Sequence, residues 1–236
     1  MPRTCAVRIY SGTGTRPMGE LQGEVQAGRD ALQLAHPALP SADLVVVTIG
    51  GNDAGFARLL WKASRLAGPW PDAEQDIITS IRRARDGIAR VFSSLRKLAP
   101  DAMVLAVGYP NVVPEDRERQ RCPWLWIWWS HRGQDLIRLA AEEMDRVLDE
   151  VAREQGIHFV DLRTAFSGHE ACAPDEWIRG PVAGWLPGVR GPSLHPNGRG
   201  HEAIAGAISA HIARQLKTAS DLTPRGLPAN PQPQID

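Results

Sequence analysis

Asn52 and His195 are the two side chains of this 236-residue sequence whose surroundings point to chemistry. Asn52 lies in Gly50-Gly51-Asn52-Asp53, directly after the apolar, β-branched run 44–49. Such a run reads as a buried parallel strand, and the polar turn that ends it is delivered to the rim of a sheet. The two glycines have no Cβ, so the backbone can turn sharply there and a ligand can come close. A side-chain amide held at that turn could donate to an oxyanion. His195 lies in Ser193-Leu194-His195-Pro196-Asn197, just before the small-residue helix 203–213. That places it at a helix entrance and not inside a core, where an imidazole suits the work of a general base. Each motif also has a plainer explanation, because Gly-Gly-Asn-Asp favours a turn whatever its use and a histidine before Pro-Asn can simply finish a loop.

The elements that must position these residues alternate along the chain. A mostly polar segment with a weak apolar pattern, 21–34, predicts a helix that feeds the strand 44–49. Residues 76–98 repeat Ile77, Ile81, Ile88, Val91, Phe92 and Leu95 at helical spacing, with Lys97 near the carboxyl end where a cation suits the helix dipole. Ala99-Pro100-Asp101 breaks that helix and 102–108 reads as the next buried strand. A second amphipathic helix, 136–155, shows Leu139, Met144, Val147, Leu148 and Val151 along one side and ends in Gly156 before the short strand 157–161. Alternation of this kind, with nearly continuous apolar strands, implies a parallel sheet covered by helices on both faces, a three-layer α/β/α architecture. One domain is expected over 1–215, followed over 216–236 by a disordered tail in which proline, glycine and polar residues accumulate.

Composition narrows the function classes. At 43% hydrophobic residues the chain can bury one sizeable core. Lysine plus arginine and aspartate plus glutamate both number 27, and no basic stripe with interleaved aromatics occurs, so a nucleic-acid partner is not expected. No apolar run reaches bilayer-spanning length, and the first residues carry no export signal. Cys5, Cys122 and Cys172 form no CxxC pair, which argues against a metal site. An odd count permits one disulfide plus an orphan thiol. Cys122 with Cys172 is the pairing expected, with two free thiols as the alternative, and a bond would imply an oxidising compartment.

The combination of motifs resembles the SGNH, or GDSL-type, hydrolases, and within them the secreted actinobacterial lipase and esterase branch. Gly50-Gly51-Asn52-Asp53-Ala54-Gly55-Phe56-Ala57 is similar to the third conserved block of that family, and Ser193-Leu194-His195-Pro196-Asn197 with Gly200-His201 to the fifth. Ser11-Gly12-Thr13-Gly14-Thr15 resembles the second block, and Phe166–Cys172 followed by Trp177-Ile178 a further segment of the branch. The resemblance spans about residues 6–212 and rests on the combination, each block being weak alone. It implies a flavodoxin-like SGNH fold and a carboxylic ester hydrolase needing no cofactor, acting on a small-molecule or lipid ester. Carried over by position, Gly12 gives its backbone N–H and Asn52 its side-chain amide to the oxyanion hole, and His195 is the base.

Two departures accompany the resemblance. The family's nucleophilic serine lies in a Gly-Asp-Ser block, which occurs nowhere in the 236 residues. The expectation is a chain truncated at its N terminus and inactive as it stands, or alternatively a non-catalytic binding protein that keeps the fold. Ser11, beside a glycine-rich turn, is an alternative nucleophile, but the resemblance that makes Gly12 the oxyanion donor implies that Ser11 flanks the hole and does not face the base. Without the strand that carries that block, the sheet would lose a central member and leave neighbours such as 44–49 with unpaired backbone. The second departure is Pro192, where most of the family has the carboxylate that orients the base. In the branch it resembles, a backbone carbonyl two residues before the histidine can do this, here the C=O of Ser193.

Trp124, Trp126, Trp128 and Trp129 supply half of the chain's eight tryptophans. Exposed, such a cluster could take up acyl chains or meet a lipid surface. The other reading packs it over the core or against a missing N-terminal segment. His169 is expected to be structural, and His36, His131, His158, His201 and His211 are expected to be ordinary surface or core histidines. The oligomeric state is not legible in the sequence.

Overall fold

The computed structural model describes residues 9–11, 39–64, 68–114, 129–180 and 194–222, with the backbone alone for 9–11 and 219–222. Among the described residues, strands β1 (Ile9–Ser11), β2 (Leu44–Thr48), β3 (Met103–Val107) and β4 (His158–Val160) form a four-stranded sheet in the order β1-β2-β3-β4. Every pair is parallel. Parallel neighbours need crossover connections. Helices α1 (Phe56–Ala63) and α2 (Ala73–Leu98) join β2 to β3, and α3 (His131–Glu154) joins β3 to β4. The one-turn helix α4 (Arg163–Phe166) and the long α5 (Gly198–Leu222) follow β4.

Successive side chains of a strand point to opposite faces, so a sheet covered on both sides must be apolar at nearly every position. Val45, Val104 and Ala106 face a core built with Ile77, Ile81, Ile88 and Phe92 of α2 and Met144, Leu148 and Val151 of α3. Val46, Leu105, Val107 and Val160 face a second core with Phe166 of α4, Ile178, and Ile208 of α5. The expected three-layer α/β/α architecture is the observed one.

Boundaries differ from the sequence pattern for identifiable reasons. Helix α3 starts five residues before the first apolar repeat because Ser130 caps it, its Oγ accepting from Gly133 N–H at 3.1 Å. Helix α2 starts at Ala73 and carries Glu74 and Asp76 in its first turn and Arg96 and Lys97 in its last, complementing the dipole at both ends. Helix α5 runs to Leu222, so residues 216–222, assigned from composition to the tail, are helical; nothing before Pro224 breaks the helix. The edge of β2, expected to be bare, is partly paired instead: Ile9, Tyr10 and Ser11 stand opposite Val46, Val47 and Thr48. The expected helix 21–34 and the segment 223–236 lie outside the described residues.

Trp129 resolves in favour of packing. It is buried, and its Nε1–H donates to the Leu60 carbonyl at 2.9 Å, tying the start of α3 to α1. Trp124, Trp126 and Trp128 lie outside the described residues, as do Cys5 and Cys122. Among the described residues no helix is long and apolar enough to cross a membrane.

Candidate active site

In a parallel sheet all carboxyl ends lie along one edge, and the loops leaving them meet there. β2 delivers Gly50–Asn52 to this edge, β3 delivers Gly108–Asn111, and β4 leads into the segment that holds His195.

The Asn52 turn is fixed by its own main chain and by two neighbours. The Gly50 carbonyl accepts from Ala54 N–H at 2.8 Å, the Gly51 carbonyl from Phe56 N–H at 2.9 Å and the Asn52 carbonyl from Gly55 N–H at 2.9 Å. Gly50 sits at φ 96, a left-handed conformation that explains the residue type, and a Cβ there would lie 2.3 Å from Met144 Cε. From α2, Ser80 Oγ–H donates to the Ala54 carbonyl at 2.9 Å. From the end of β3, the Tyr109 hydroxyl accepts from Gly51 N–H at 3.0 Å. Asn52 itself is exposed at the tip.

His195 is held by a short antiparallel ladder. Leu194 N–H donates to the Arg179 carbonyl and Arg179 N–H to the His195 carbonyl, both at 3.0 Å, while Asn197 N–H donates to the Trp177 carbonyl at 2.8 Å. The Arg179 guanidinium donates to the Pro196 carbonyl. Leu194 adopts φ 58, costly for a branched side chain, immediately before the candidate base. Asn197 then opens α5, its Oδ1 accepting from Gly200 N–H at 3.1 Å. The segment 168–179 that supports this ladder is braced by His169, whose ring stacks on Trp177 with centroids 3.6 Å apart and whose Nδ1 lies 2.8 Å from the Asp175 carbonyl. These contacts give His169 the structural role expected for it.

Under the carboxyl end of β3 lies Asp145 of α3, a buried carboxylate whose Oδ1 accepts from Tyr109 N–H at 2.7 Å. Its Oδ2 accepts no hydrogen bond and has Arg163 Nε at 3.6 Å. Burial pushes its pKa up to about 7, against the pull of the Tyr109 N–H. Arg163 is engaged mainly by Asp161, which its guanidinium holds below the ordinary carboxylate range. Among the described residues, no group of three or more histidine, cysteine or acidic side chains is placed to hold a metal ion.

The model of the GDSL-like lipase/acylhydrolase family matches residues 3–203. The chain belongs to this family. Among its GDSL-like relatives, "Lipase 1" of Streptomyces coelicolor is 32% identical over 187 residues, 77% of this chain and 63% of that protein. A "Lipase" of Streptomyces rimosus is 30% identical over 181 residues, 73% of this chain and 63% of that one. The chain thus spans 63% of the length of these curated relatives. In three dimensions it is similar to an extracellular lipase from S. rimosus, with a TM-score of 0.62 and 27% identity over 77% of this chain and 74% of that one. A phospholipase A1 from Streptomyces albidoflavus, 24% identical with a TM-score of 0.64 over 79% and 75%, shares the fold.

Of the four site residues expected from the sequence, Asn52 and His195 are placed by the structure on loops at the carboxyl end of the GDSL-like sheet, whereas Gly12 and Ser193 lie outside the described residues. Tyr109, Trp177 and Arg179 were not singled out as site residues from the sequence, though they anchor the two loops. Asp145 left a signal: with Ala141, Leu148 and Ala152 it forms one helical stripe of buried residues, in which an acid is out of place.

Proposed function

We propose that the chain carries the oxyanion-binding and proton-transfer parts of a carboxylic ester hydrolase, with Asn52 and Gly12 N–H as oxyanion donors and His195, oriented by the Ser193 carbonyl, as the base. The observation that carries this reading is the position of the Asn52 turn and the His195 loop at the carboxyl end of one parallel sheet, each held by main-chain bonds to its neighbours. Gly12 follows β1, whose carboxyl end lies on the same edge. In such a reaction a hydroxyl attacks the ester carbonyl carbon and its proton passes to His195. The carbonyl oxygen becomes an anion held by the Gly12 and Asn52 donors, each typically worth about 3–4 kcal/mol. Collapse expels the alcohol, which takes the proton back from His195; water then releases the acid by the same steps. The substrate class is a small-molecule or lipid ester, and no cofactor enters the scheme.

No Gly-Asp-Ser sequence occurs in the 236 residues, so the family's nucleophile is absent from them and ester hydrolysis by this chain is expected to be negligible. The same observation favours a second reading, a binding protein that keeps the fold without turnover. Hydrolysis of short-chain p-nitrophenyl esters by the purified chain and by its Ser11→Ala, Asn52→Ala and His195→Ala variants separates these. Negligible turnover is expected under both; calorimetric binding of an uncharged ester analogue that is unchanged in Asn52→Ala and His195→Ala supports the binding reading, whereas binding weakened in Asn52→Ala supports the hydrolase-type site. Substantial turnover that survives Ser11→Ala and is lost in His195→Ala shows that another residue serves as nucleophile and restores the enzyme reading.

A Cys122–Cys172 disulfide belongs to the same proposal. It is supported by the position of Cys172, buried at φ 69 on the segment that braces His195. Non-reducing peptide mapping of protein made in an oxidising compartment is expected to find the two linked and Cys5 unpaired; Cys5 joined to either one overturns the pairing.

A further inference from the structure

The Gly50–Gly51 peptide is gripped at both ends. Its carbonyl accepts from Ala54 N–H at 2.8 Å inside the turn, and its N–H donates to the Tyr109 hydroxyl at 3.0 Å, 58 residues away in sequence. Two glycines in succession leave this peptide free of the side-chain clashes that usually forbid a flip. The next side chain along is Asn52, so the orientation of that peptide decides where the amide points. The residue type at 51 answers to the same hydroxyl, since a Cβ there would lie 2.8 Å from Tyr109 Oη.

Tyr109 is in turn fixed. Its ring stacks on Phe56 with centroids 6.1 Å apart and planes at 14°, and its N–H donates to the buried Asp145 at 2.7 Å. Gly108 lets the carboxylate approach, a Cβ there lying 2.7 Å from Asp145 Oδ1. The path from Asp145 through Tyr109 to Gly51 therefore links helix α3, the end of β3 and the end of β2.

We propose that Tyr109 is the positioning residue for the Asn52 amide, its hydroxyl locking the Gly50–Gly51 peptide in the orientation that presents Asn52 at the sheet edge. The role rests on the reading of Asn52 as an oxyanion donor. The geometry it predicts, however, is measured without turnover.

Tyr109→Phe removes one oxygen and keeps the ring on Phe56. In 15N-labelled protein, exchange of the Gly51 amide with solvent is expected to rise about tenfold, the loss of roughly one hydrogen bond. The side-chain amide resonances of Asn52 should shift, with little change in the melting temperature. Should that variant fail to fold, Gly51→Ala probes the same contact from the other side, its methyl displacing the hydroxyl, and the same Asn52 shift is expected. Asn52 resonances unmoved in the variants that fold, with Gly51 exchange unchanged in Tyr109→Phe, overturn the proposal. If Asn52 moves as described while Asn52→Ala alters neither hydrolysis nor binding of the ester analogue, the positioning role stands and the oxyanion reading falls.

Discussion

Arg179 and His195 are joined main chain to main chain, the N–H of Arg179 donating to the His195 carbonyl at 3.0 Å while its own carbonyl accepts from Leu194 N–H at the same distance. The candidate base is thus located by a two-sided ladder to a segment that also carries Trp177, more than by its own loop. Such a ladder keeps an imidazole in place even where the preceding residue, Leu194, occupies a left-handed conformation that would otherwise relax.

The Arg179 side chain adds a third tie, its guanidinium donating to the Pro196 carbonyl. Arg179→Ala leaves the main-chain ladder intact and removes that tie, which should lower stability by about 1 kcal/mol, in the range of a partly exposed hydrogen bond to a charged donor. The effect is expected to be local. The imidazole signals of His195 should broaden or split while signals from α2 stay put. A variant with an unchanged His195 spectrum would show that the ladder alone sets the loop.

Asp145 makes stability depend on pH in an uncommon direction for an acid. Its folded pKa is raised to about 7 by burial, with Asp161 and Asp149 adding to the rise and Arg163 opposing it. In the unfolded chain an aspartate titrates near 4. Between these values the folded state holds the extra proton, so the stability this group contributes is complete below about pH 4 and is lost as pH rises to about 7, a loss on the order of a few kcal/mol. Asp145→Asn retains an oxygen for the Tyr109 N–H and removes the titration. Melting curves from pH 4 to 8 should converge at the acid end and separate above pH 7, with the variant more stable. Parallel curves across that range would refute the assignment.

Gly50 combines φ 96 with a crowded flank, a new Cβ falling 2.3 Å from Met144 Cε and 2.9 Å from Ile88 Cδ1. Gly55, at φ 70, has open space around it. Gly50→Ala is therefore expected to cost roughly 1–3 kcal/mol, the sum of a strained backbone and an overfilled core. Gly55→Asn, a residue that tolerates the left-handed region, should cost only a few tenths. Chemical denaturation of the two variants side by side checks the ranking, and equal losses would contradict it.

What could be read in the sequence and what could not divides along physical lines. The buried strands β2 and β3 and the helices α2 and α3 announce themselves because each must match a period over many residues to cover the sheet. Helix α1 has eight residues and follows Gly55, with no capping side chain to mark its start. Strand β1, with three residues, is too short for any period to show. Asn52 and His195 were legible as candidates because a motif placed them. Tyr109 was not, since its contact with Gly51 joins points 58 residues apart, and neither partner carries a local sign of the other.

Gly200 closes the account of the His195 loop. It lies in the first turn of α5, where a Cβ would stand 2.5 Å from the Trp177 carbonyl and 2.9 Å from Pro196 Cβ. The Trp177 carbonyl is the acceptor of Asn197 N–H, so it cannot retreat without releasing the cap of the helix. Gly200→Ala should force α5 away from the 177–179 segment and move His195, at a cost of about 1–3 kcal/mol. Gly198, two residues earlier in the same turn, has nothing within reach of a new Cβ. There alanine should be neutral or slightly stabilising, because helix propensity then acts alone. Comparing the two variants by thermal melting and by the His195 resonances isolates close packing from propensity. A Gly200→Ala protein as stable as Gly198→Ala, with His195 unmoved, would mean that the approach of α5 to Trp177 does not set the position of the candidate base.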